Sequence, residues 1–408
     1  MREVNYVLIG GGLASIRAAR QIRKRDPEGS ILIASDEPEL PYDRPPLSKQ
    51  FLSGEQSADD IVLEQASKID DLRIDLTTGN KVHHLDAAGR CVALANGEWI
   101  RFERALIATG GTPVRLTVPG ADLQGVHYLR TMADARAIAS AASKGRRAVI
   151  IGGGFIGIEL AATLRTLGLD VTVVESLPHI WGRFAGTEVS RFVERYCTDR
   201  DVRIVTSSAV SEIRGEDRAN MVVTDEGDQF KCDLVCVGVG IRPNVELAIE
   251  AGLSVDNGIL VDEYMRTSRP DIFAAGDVIN WFDITAGRRR RVEHWGHAEY
   301  SGQIAGANMT GATEVHDLLS YVWSDIFDLH IEFAGDEDQR DCSILRGDPA
   351  EDSFFVFYLK NGRITAFFAV NREPREVAVL RRLIRTRTDV STRASLLCDP
   401  ASDLSTLL

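Results

Sequence analysis

Ala148 to Ala161 reads A-V-I-I-G-G-G-F-I-G-I-E-L-A, and Tyr6 to Ala19 reads Y-V-L-I-G-G-G-L-A-S-I-R-A-A. Each stretch is an apolar run, a glycine turn, then apolar residues at helical spacing, which predicts strand, turn and helix. A second apolar run follows each, S-I-L-I-A-S-D from Ser30 and D-V-T-V-V-E from Asp170. Each therefore predicts a β-α-β unit, and an internal duplication of nucleotide folds is the strongest organisational signal in the chain.

The loops have the spacing Gly10-x-Gly12-x-x-Ser15 and Gly152-x-Gly154-x-x-Gly157. The first glycine allows the tight turn, the second lets backbone approach a pyrophosphate on the helix N-terminus, and the third position packs helix on strand. Ser15 stands where Gly or Ala is preferred. An acid follows about 20 residues on, Asp36 after the first loop and Glu175 after the second, as ribose hydroxyls require. A 2′-phosphate would be repelled by Glu175, so the second site is expected to prefer NADH to NADPH. Asp36 also reads as a solvated loop acid. The sequence thus assigns Gly10, Gly12, Leu13, Ala14 and Ser15 to one dinucleotide and Gly152, Gly154, Phe155, Ile156 and Gly157 to another. Thr109 and Gly110 of A-T-G-G, and Gly238 and Gly240 of V-G-V-G, join them. FAD plus a nicotinamide is the economical pair. Asp277, in A-A-G-D, is placed to accept a bond from a ribityl hydroxyl, or to cap a helix.

The chain has 408 residues, 44% hydrophobic and 26% charged, enough for two to four folded domains. Its formal charge of −13 argues against nucleic acid and anionic membrane surfaces. No apolar run approaches the roughly 20 residues of a membrane span. The start, M-R-E-V-N-Y-V-L-I-G-G-G, enters a strand directly, which predicts a cytoplasmic protein. None of the six cysteines forms C-x-x-C, and Cys232 and Cys236 read as buried thiols in one strand, so thiol exchange is not expected. No metal site is assigned. From about Tyr321, alternating runs such as F-F-V-F-Y-L and R-I-T-A-F-F-A-V predict antiparallel strands, followed by an arginine-rich helix over Glu373 to Arg387.

At D-E-P-E-L-P-Y-D-R-P-P-L-S-K (36–49), V-I-I-G-G-G-F-I-G-I-E (149–159), F-A-A-G-D-V (273–278), the stretch 292–311 around V-E-H-W-G-H and W-S-D-I-F-D-L-H-I-E-F-A-G (323–335), the sequence resembles the oxygenase-coupled ferredoxin reductases, the family of putidaredoxin reductase and rubredoxin reductase. It also resembles apoptosis-inducing factor. The resemblance covers nearly the whole chain. It implies an α/β, glutathione-reductase-like fold: two Rossmann-type dinucleotide-binding domains plus a C-terminal α+β domain. Residues 1–113 and 244–320 would bind FAD, 114–243 would bind NADH, and 321–408 would form the third domain. The disulfide-reducing cousins carry redox cysteines where this chain has P-P-L-S-K-Q-F-L, so flavin would be the only redox centre.

The resemblance further implies residue roles. Arg44 would contact the adenosine of FAD, Val82 the adenine and Arg130 the same cofactor. Lys49 would sit beside flavin N5, paired with Glu159. Asp277 would bind the ribityl chain, Trp295 would offer its backbone N–H to the pyrimidine edge, and Trp323 would lie against the isoalloxazine. Glu175 and Arg183 would hold NADH. Independently, a lysine near N5 stabilises reduced flavin, although Lys49–Glu159 also reads as a plain ion pair, and both tryptophans as core aromatics. His294 is as readily a structural residue.

The expected activity is hydride transfer from NADH to FAD, then single-electron transfer to a [2Fe–2S] ferredoxin that feeds an oxygenase. Docking an acidic ferredoxin would need local basic patches: Arg288 to Arg291, or Arg372, Arg375, Arg381, Arg382 and Arg385. Two rivals remain, an NADH:quinone or NADH:oxygen oxidoreductase, and a redox-controlled interaction protein resembling apoptosis-inducing factor. Monomer and homodimer both stay open.

Overall fold

The apolar run before the first glycine loop forms strand Arg2–Ile9, the helix after it spans Leu13–Arg25, and the chain returns as strand Ile31–Ala34. The second loop repeats the pattern with strand Arg147–Ile151, helix Phe155–Thr166 and strand Asp170–Val174. A computed structural model describes residues 1–336 and 340–408. The chain divides into two units, one of residues 1–43, 58–112 and 242–320, the other of residues 44–57, 113–241 and 321–408.

In the first unit, among the described residues, seven strands form one sheet. Arg2–Ile9 lies between Ile31–Ala34 and Trp99–Ile107, parallel to both. Ile74–Thr77 extends the parallel set on one side. Cys91–Leu94 and Val82–Asp86 extend it antiparallel on the other, and Ile272–Ala274 adds a parallel strand to Trp99–Ile107. All four residues of Ile31–Ala34 are buried, as expected when helices cover both faces. Helix Leu13–Arg25 packs on helix Trp295–Met309 through glycines. A Cβ on Gly302 would meet Ala14 O at 2.3 Å, and one on Gly306 would meet Ala18 O at 2.4 Å. The register advances in the same direction along both helices, so they run parallel and their N-termini point the same way.

In the second unit, strands Val202–Val205, Asp170–Val174, Arg147–Ile151, Leu234–Val237 and Val126–Tyr128 form a parallel sheet in that order. Strand Leu234–Val237 includes Cys236 but not Cys232, which precedes it; both thiols are buried. The C-terminal strands are antiparallel as expected, ordered Tyr321–Ile326, Leu329–Gly335, Arg363–Val370, Ser353–Lys360 and Cys342–Asp348. The two strands Ser353–Lys360 and Arg363–Val370 are not half-buried. Phe354 to Leu359 and Phe367 to Val370 are buried without a break. Phe354, Tyr358 and Phe368 belong to the same core as Trp181 and Phe192. On the opposite face, where Phe355, Phe357 and Phe367 cluster, the helix Pro374–Thr386 covers the sheet with Val377, Leu380, Leu383 and Ile384.

Candidate functional site

The first glycine loop has the shape its spacing requires. Gly10 has φ +114°, and a Cβ there would lie 2.4 Å from Ala108 O. Around Gly12 a Cβ would meet nothing within 4 Å, which leaves room for a phosphate against the backbone. Gly12 caps helix Leu13–Arg25 with no side-chain acceptor and no acid in the first turn, so the N–H groups of Leu13, Ala14 and Ser15 face the loop without a built-in anion. Ser15 is fully buried, so a serine fits there. Asp36 is exposed just past strand Ile31–Ala34.

Other residues of the first unit gather near that loop. Gly276 lies against Ala14 and Ala298, where a Cβ would sit 3.4 and 3.9 Å from theirs, so Asp277 sits beside the starts of both parallel helices. The cap of the short helix Gly276–Val278 is Ala275, so Asp277 is not its N-cap. Thr109 is pinned by Asn244, whose Nδ2 donates to Thr109 O at 2.9 Å while Thr109 Oγ1 donates to Asn244 O at 2.7 Å. Trp295 is the first residue of its helix, where a backbone N–H has no intrahelical acceptor. Its indole Nε1 donates to Asp43 at 2.8 Å. Val82 is buried at the start of an edge strand. His294 Nδ1 lies 3.0 Å from Ser320 Oγ, and burial pushes its pKa down to about 4, a neutral structural histidine.

The second loop, in the other unit, follows the same design. Gly152 has φ +103°, and a Cβ would strike Gly238 O at 2.5 Å; at Gly157 it would lie 2.0 Å from Gly152 O. Gly154 is open, with its nearest atom 3.9 Å away. Ile156 is 44% exposed beside it, and Phe155 stacks on Phe184 at 4.2 Å. Glu175 accepts from the Gly153 and Leu177 N–H groups at 2.7 and 2.8 Å, so it fixes the loop and keeps lone pairs for a ribose. Arg183 is exposed, and Gly240 is exposed with φ +112°.

The same unit holds Lys49. The 3-10 helix Pro45–Ser48 ends there, and Thr163 of helix Phe155–Thr166 donates to Ser48 O at 2.7 Å, tying the two elements together. Lys49 Nζ lies 3.3 Å from Glu159 Oε1, with side chains only 10% and 5% exposed. Glu159 also accepts from Ser48 Oγ at 2.5 Å and Ser324 Oγ at 2.8 Å. Asp325 Oδ2 stands 3.9 Å from Lys49 Nζ, and its Oδ1 lies 2.7 Å from His330 Nδ1. Trp323, two residues before Asp325, stacks on Tyr321 at 6.2 Å. Arg44 Nη1 donates to Arg130 O at 2.5 Å, so those two expected cofactor contacts are neighbours.

Ser48, Ser324, Asp325, His330 and Asn244 carry no sequence signal of their own and were not expected. The six cysteines are all free, and burial pushes Cys197 and Cys236 up to about 12, which removes them from thiol chemistry at neutral pH. Among the described residues no cluster of His, Cys, Asp and Glu is arranged to hold a metal, and no helix is long and apolar enough to cross a membrane. Of the basic patches, Arg290 pairs with Asp283, Arg291 with Glu293, Arg372 with Glu376 and Arg381 with Glu332. Arg375 and Arg382 are exposed.

A family model for pyridine nucleotide-disulphide oxidoreductases matches residues 4–302, and one for a reductase C-terminal domain matches residues 321–408. The ferredoxin–NAD(+) reductase component of an anthranilate 1,2-dioxygenase system from Burkholderia cepacia is 38% identical over 407 residues, 99% of each chain. The crystal structure of the ferredoxin reductase for the CYP199A2 system from Rhodopseudomonas palustris is 33% identical, with a TM-score of 0.95 over 98% of this chain and 99% of that one. The reductase in a covalent putidaredoxin reductase–putidaredoxin complex is 31% identical, with a TM-score of 0.95 over 100% and 98%.

Proposed function

The chain belongs to the pyridine nucleotide-disulphide oxidoreductase family, and from that premise we propose that it is an FAD-dependent NADH:ferredoxin reductase that supplies an oxygenase. The overall reaction is NADH plus two oxidised [2Fe–2S] ferredoxins giving NAD+, two reduced ferredoxins and one proton. The observation that carries this reading is the buried Lys49–Glu159 pair in a chain whose cysteines all lie elsewhere. The glutathione-reductase-like frame is kept, while the position after the first β-α-β unit offers a cation instead of a thiol.

Bound FAD supplies the two-electron to one-electron conversion that joins a hydride donor to an iron–sulfur protein. The chain supplies binding and field. Gly10, Gly12, Leu13, Ala14 and Ser15 hold the FAD pyrophosphate, with Asp36, Val82, Thr109, Gly110, Asp277 and Trp295 along its length and Arg44 and Arg130 as cations. Gly152, Gly154, Phe155, Ile156 and Gly157 hold NADH, with Glu175 on its ribose, Arg183 on its phosphates and Gly238 and Gly240 closing the loop. Lys49, oriented by Glu159, would offer positive charge to the reduced flavin, and Trp323 would line the flavin site. We assign residues 1–113 and 244–320 to FAD binding, 114–243 to NADH binding and 321–408 to the third domain. We place the enzyme in the cytoplasm, where NADH is available.

The test is anaerobic stopped-flow mixing of the yellow protein with NADH, followed by cytochrome c reduction with and without a [2Fe–2S] ferredoxin. Flavin bleaching and strict dependence on ferredoxin are expected. Equally fast NADH oxidation with oxygen or quinone alone would overturn the assignment of the acceptor.

A further inference from the structure

Six charged side chains of the second unit alternate in sign along one succession of contacts: Glu159, Lys49, Asp325, His330, Glu332 and Arg381. The successive gaps are 3.3, 3.9, 2.7, 3.6 and 2.7 Å. The two ends are fixed. Glu159 is held by the hydroxyls of Ser48 and Ser324, and Arg381 stacks over the Tyr321 ring at 4.2 Å. The middle is not fixed in that way. Asp325 is 36% exposed, and its carboxylate is shared unequally between two cations, with a close contact to His330 and a looser one to Lys49. His330 lies directly opposite Asp325 in the hairpin, and its backbone N–H donates to Asn371 Oδ1 at 2.9 Å.

We propose that His330 is a positioning residue for Lys49: while protonated it holds Asp325 off the lysine nitrogen, and on losing its proton it lets Asp325 turn to Lys49 and cancel the charge offered to the flavin. This rests on the role given to Lys49 above. The groups facing His330 are Asp325 from the adjacent strand, Glu332 from its own, Arg381 from the C-terminal helix, and Lys49 and Glu159 beyond Asp325. Two adjacent carboxylates outweigh the more distant cations, and the bonds to Asp325 and then Glu332 push the His330 pKa up to about 9. The ladder is therefore neutral at physiological pH and gains one negative charge in the alkaline range.

Two measurements test this. NMR of the His330 Cε1–H should give a titration near pH 9 in the wild-type holoprotein and one moved toward the ordinary histidine value in Asp325→Asn. A wild-type titration already at the ordinary value would overturn the proposal. The flavin midpoint potential, followed from pH 7 to 10, should fall through pH 9 by an extra ~30 mV, a tenfold change in the oxidised-to-reduced ratio. His330→Gln should show the lowered potential already at pH 7 and no step near pH 9. Superimposable potential–pH curves for wild type and His330→Gln would sink the inference. Lys49→Met separates the two layers. If it leaves the potential unchanged, the Lys49 reading falls as well; if it lowers the potential while His330→Gln does not, only the role of His330 falls.

Discussion

On the proposed function, single residues set which nucleotide enters and how the flavin is tuned. Glu175 uses part of its carboxylate to fix the Gly153 and Leu177 N–H groups and keeps its charge at the end of strand Asp170–Val174. A 2′-phosphate placed there meets that charge, so NADH should be preferred over NADPH at least tenfold in kcat/KM, about 1.4 kcal/mol. Glu175→Gln keeps an acceptor for the loop and removes the repulsion, so steady-state kinetics should show the ratio collapsing mostly through a gain with NADPH. Equal wild-type rates would remove Glu175 from this role. Lys49→Met takes away the cation and leaves Glu159 buried with only two hydroxyls. Flavin reduction by NADH in single-turnover mixing should slow by about a hundredfold, the scale of losing one preorganised electrostatic contact. The glycines of both loops could be read from sequence because their need is local: a positive φ at Gly10 and Gly152, and bare space at Gly12 and Gly154. Ser48, Ser324 and His330 could not. A lone hydroxyl has no spacing to announce it, and His330 meets Asp325 only once the hairpin register is set by the turn at Phe327, φ +56°.

At the scale of elements, the β-α-β units were legible because strand, turn and helix each leave a period in the sequence. The C-terminal sheet was legible as antiparallel strands, but not that Ser353–Lys360 and Arg363–Val370 would be buried on both faces, since periodicity does not say what will cover the second face. That cover comes from helix Pro374–Thr386 and from the tail behind it. The tail is held by Arg346, a fully buried arginine on strand Cys342–Asp348. Its guanidinium donates to Leu396 O, Asp399 O, Pro400 O, Ser402 O and Ser402 Oγ at 2.5 to 3.2 Å. Nothing in the sequence singles it out from the other arginines. Arg346→Met fills similar volume but removes the guanidinium from Pro400 O and Ser402 O and leaves Leu396 O and Asp399 O to the Ser402 hydroxyl alone among side chains, at a cost of about 1–3 kcal/mol. Residues 394–408 should then exchange amide hydrogens faster and become open to limited proteolysis, while the parallel sheets stay protected. Unchanged protection of the tail would show that its apolar contacts, Leu397, Leu404 and Leu407, suffice.

For the molecule as a whole, the larger acid liability lies in the first unit, although burial also lowers His127 in the second. The first unit buries His297 and His316, with rings 5.2 Å apart and His297 stacked on Trp281 at 4.2 Å. Burial pushes His316 down to about 4 and His297 well below its ordinary value, the latter helped by repulsion from His316, and His294 lies at about 4. As pH falls below about 6.5 the unfolded chain binds a proton at each of these imidazoles, whereas in the folded unit His294 and His316 stay neutral until about pH 4 and His297 is likewise held neutral well below its ordinary value. Stability of this unit is therefore level above pH 6.5 and drops between 6.5 and 4, by up to about 1.4 kcal/mol per pH unit for each histidine. In the second unit His330 is shifted the other way. Its contribution is complete below about pH 6.5 and disappears as pH rises through 9, and its exposure to solvent keeps that contribution small. Unfolding should therefore depart from a single transition as the pH is lowered. Calorimetry at pH 7.5 and pH 5 should show one endotherm moving to lower temperature, accompanied by the fluorescence change of Trp281, while the transition of the second unit, with the single lowered histidine His127, moves less. His297→Phe keeps the stacked ring and removes a titrating group, so it should flatten the acid limb of the first transition without lowering the melting temperature at pH 7.5. If the variant and the wild type lose stability in parallel from pH 7.5 to 5, the buried imidazoles are not what makes the first unit acid-sensitive.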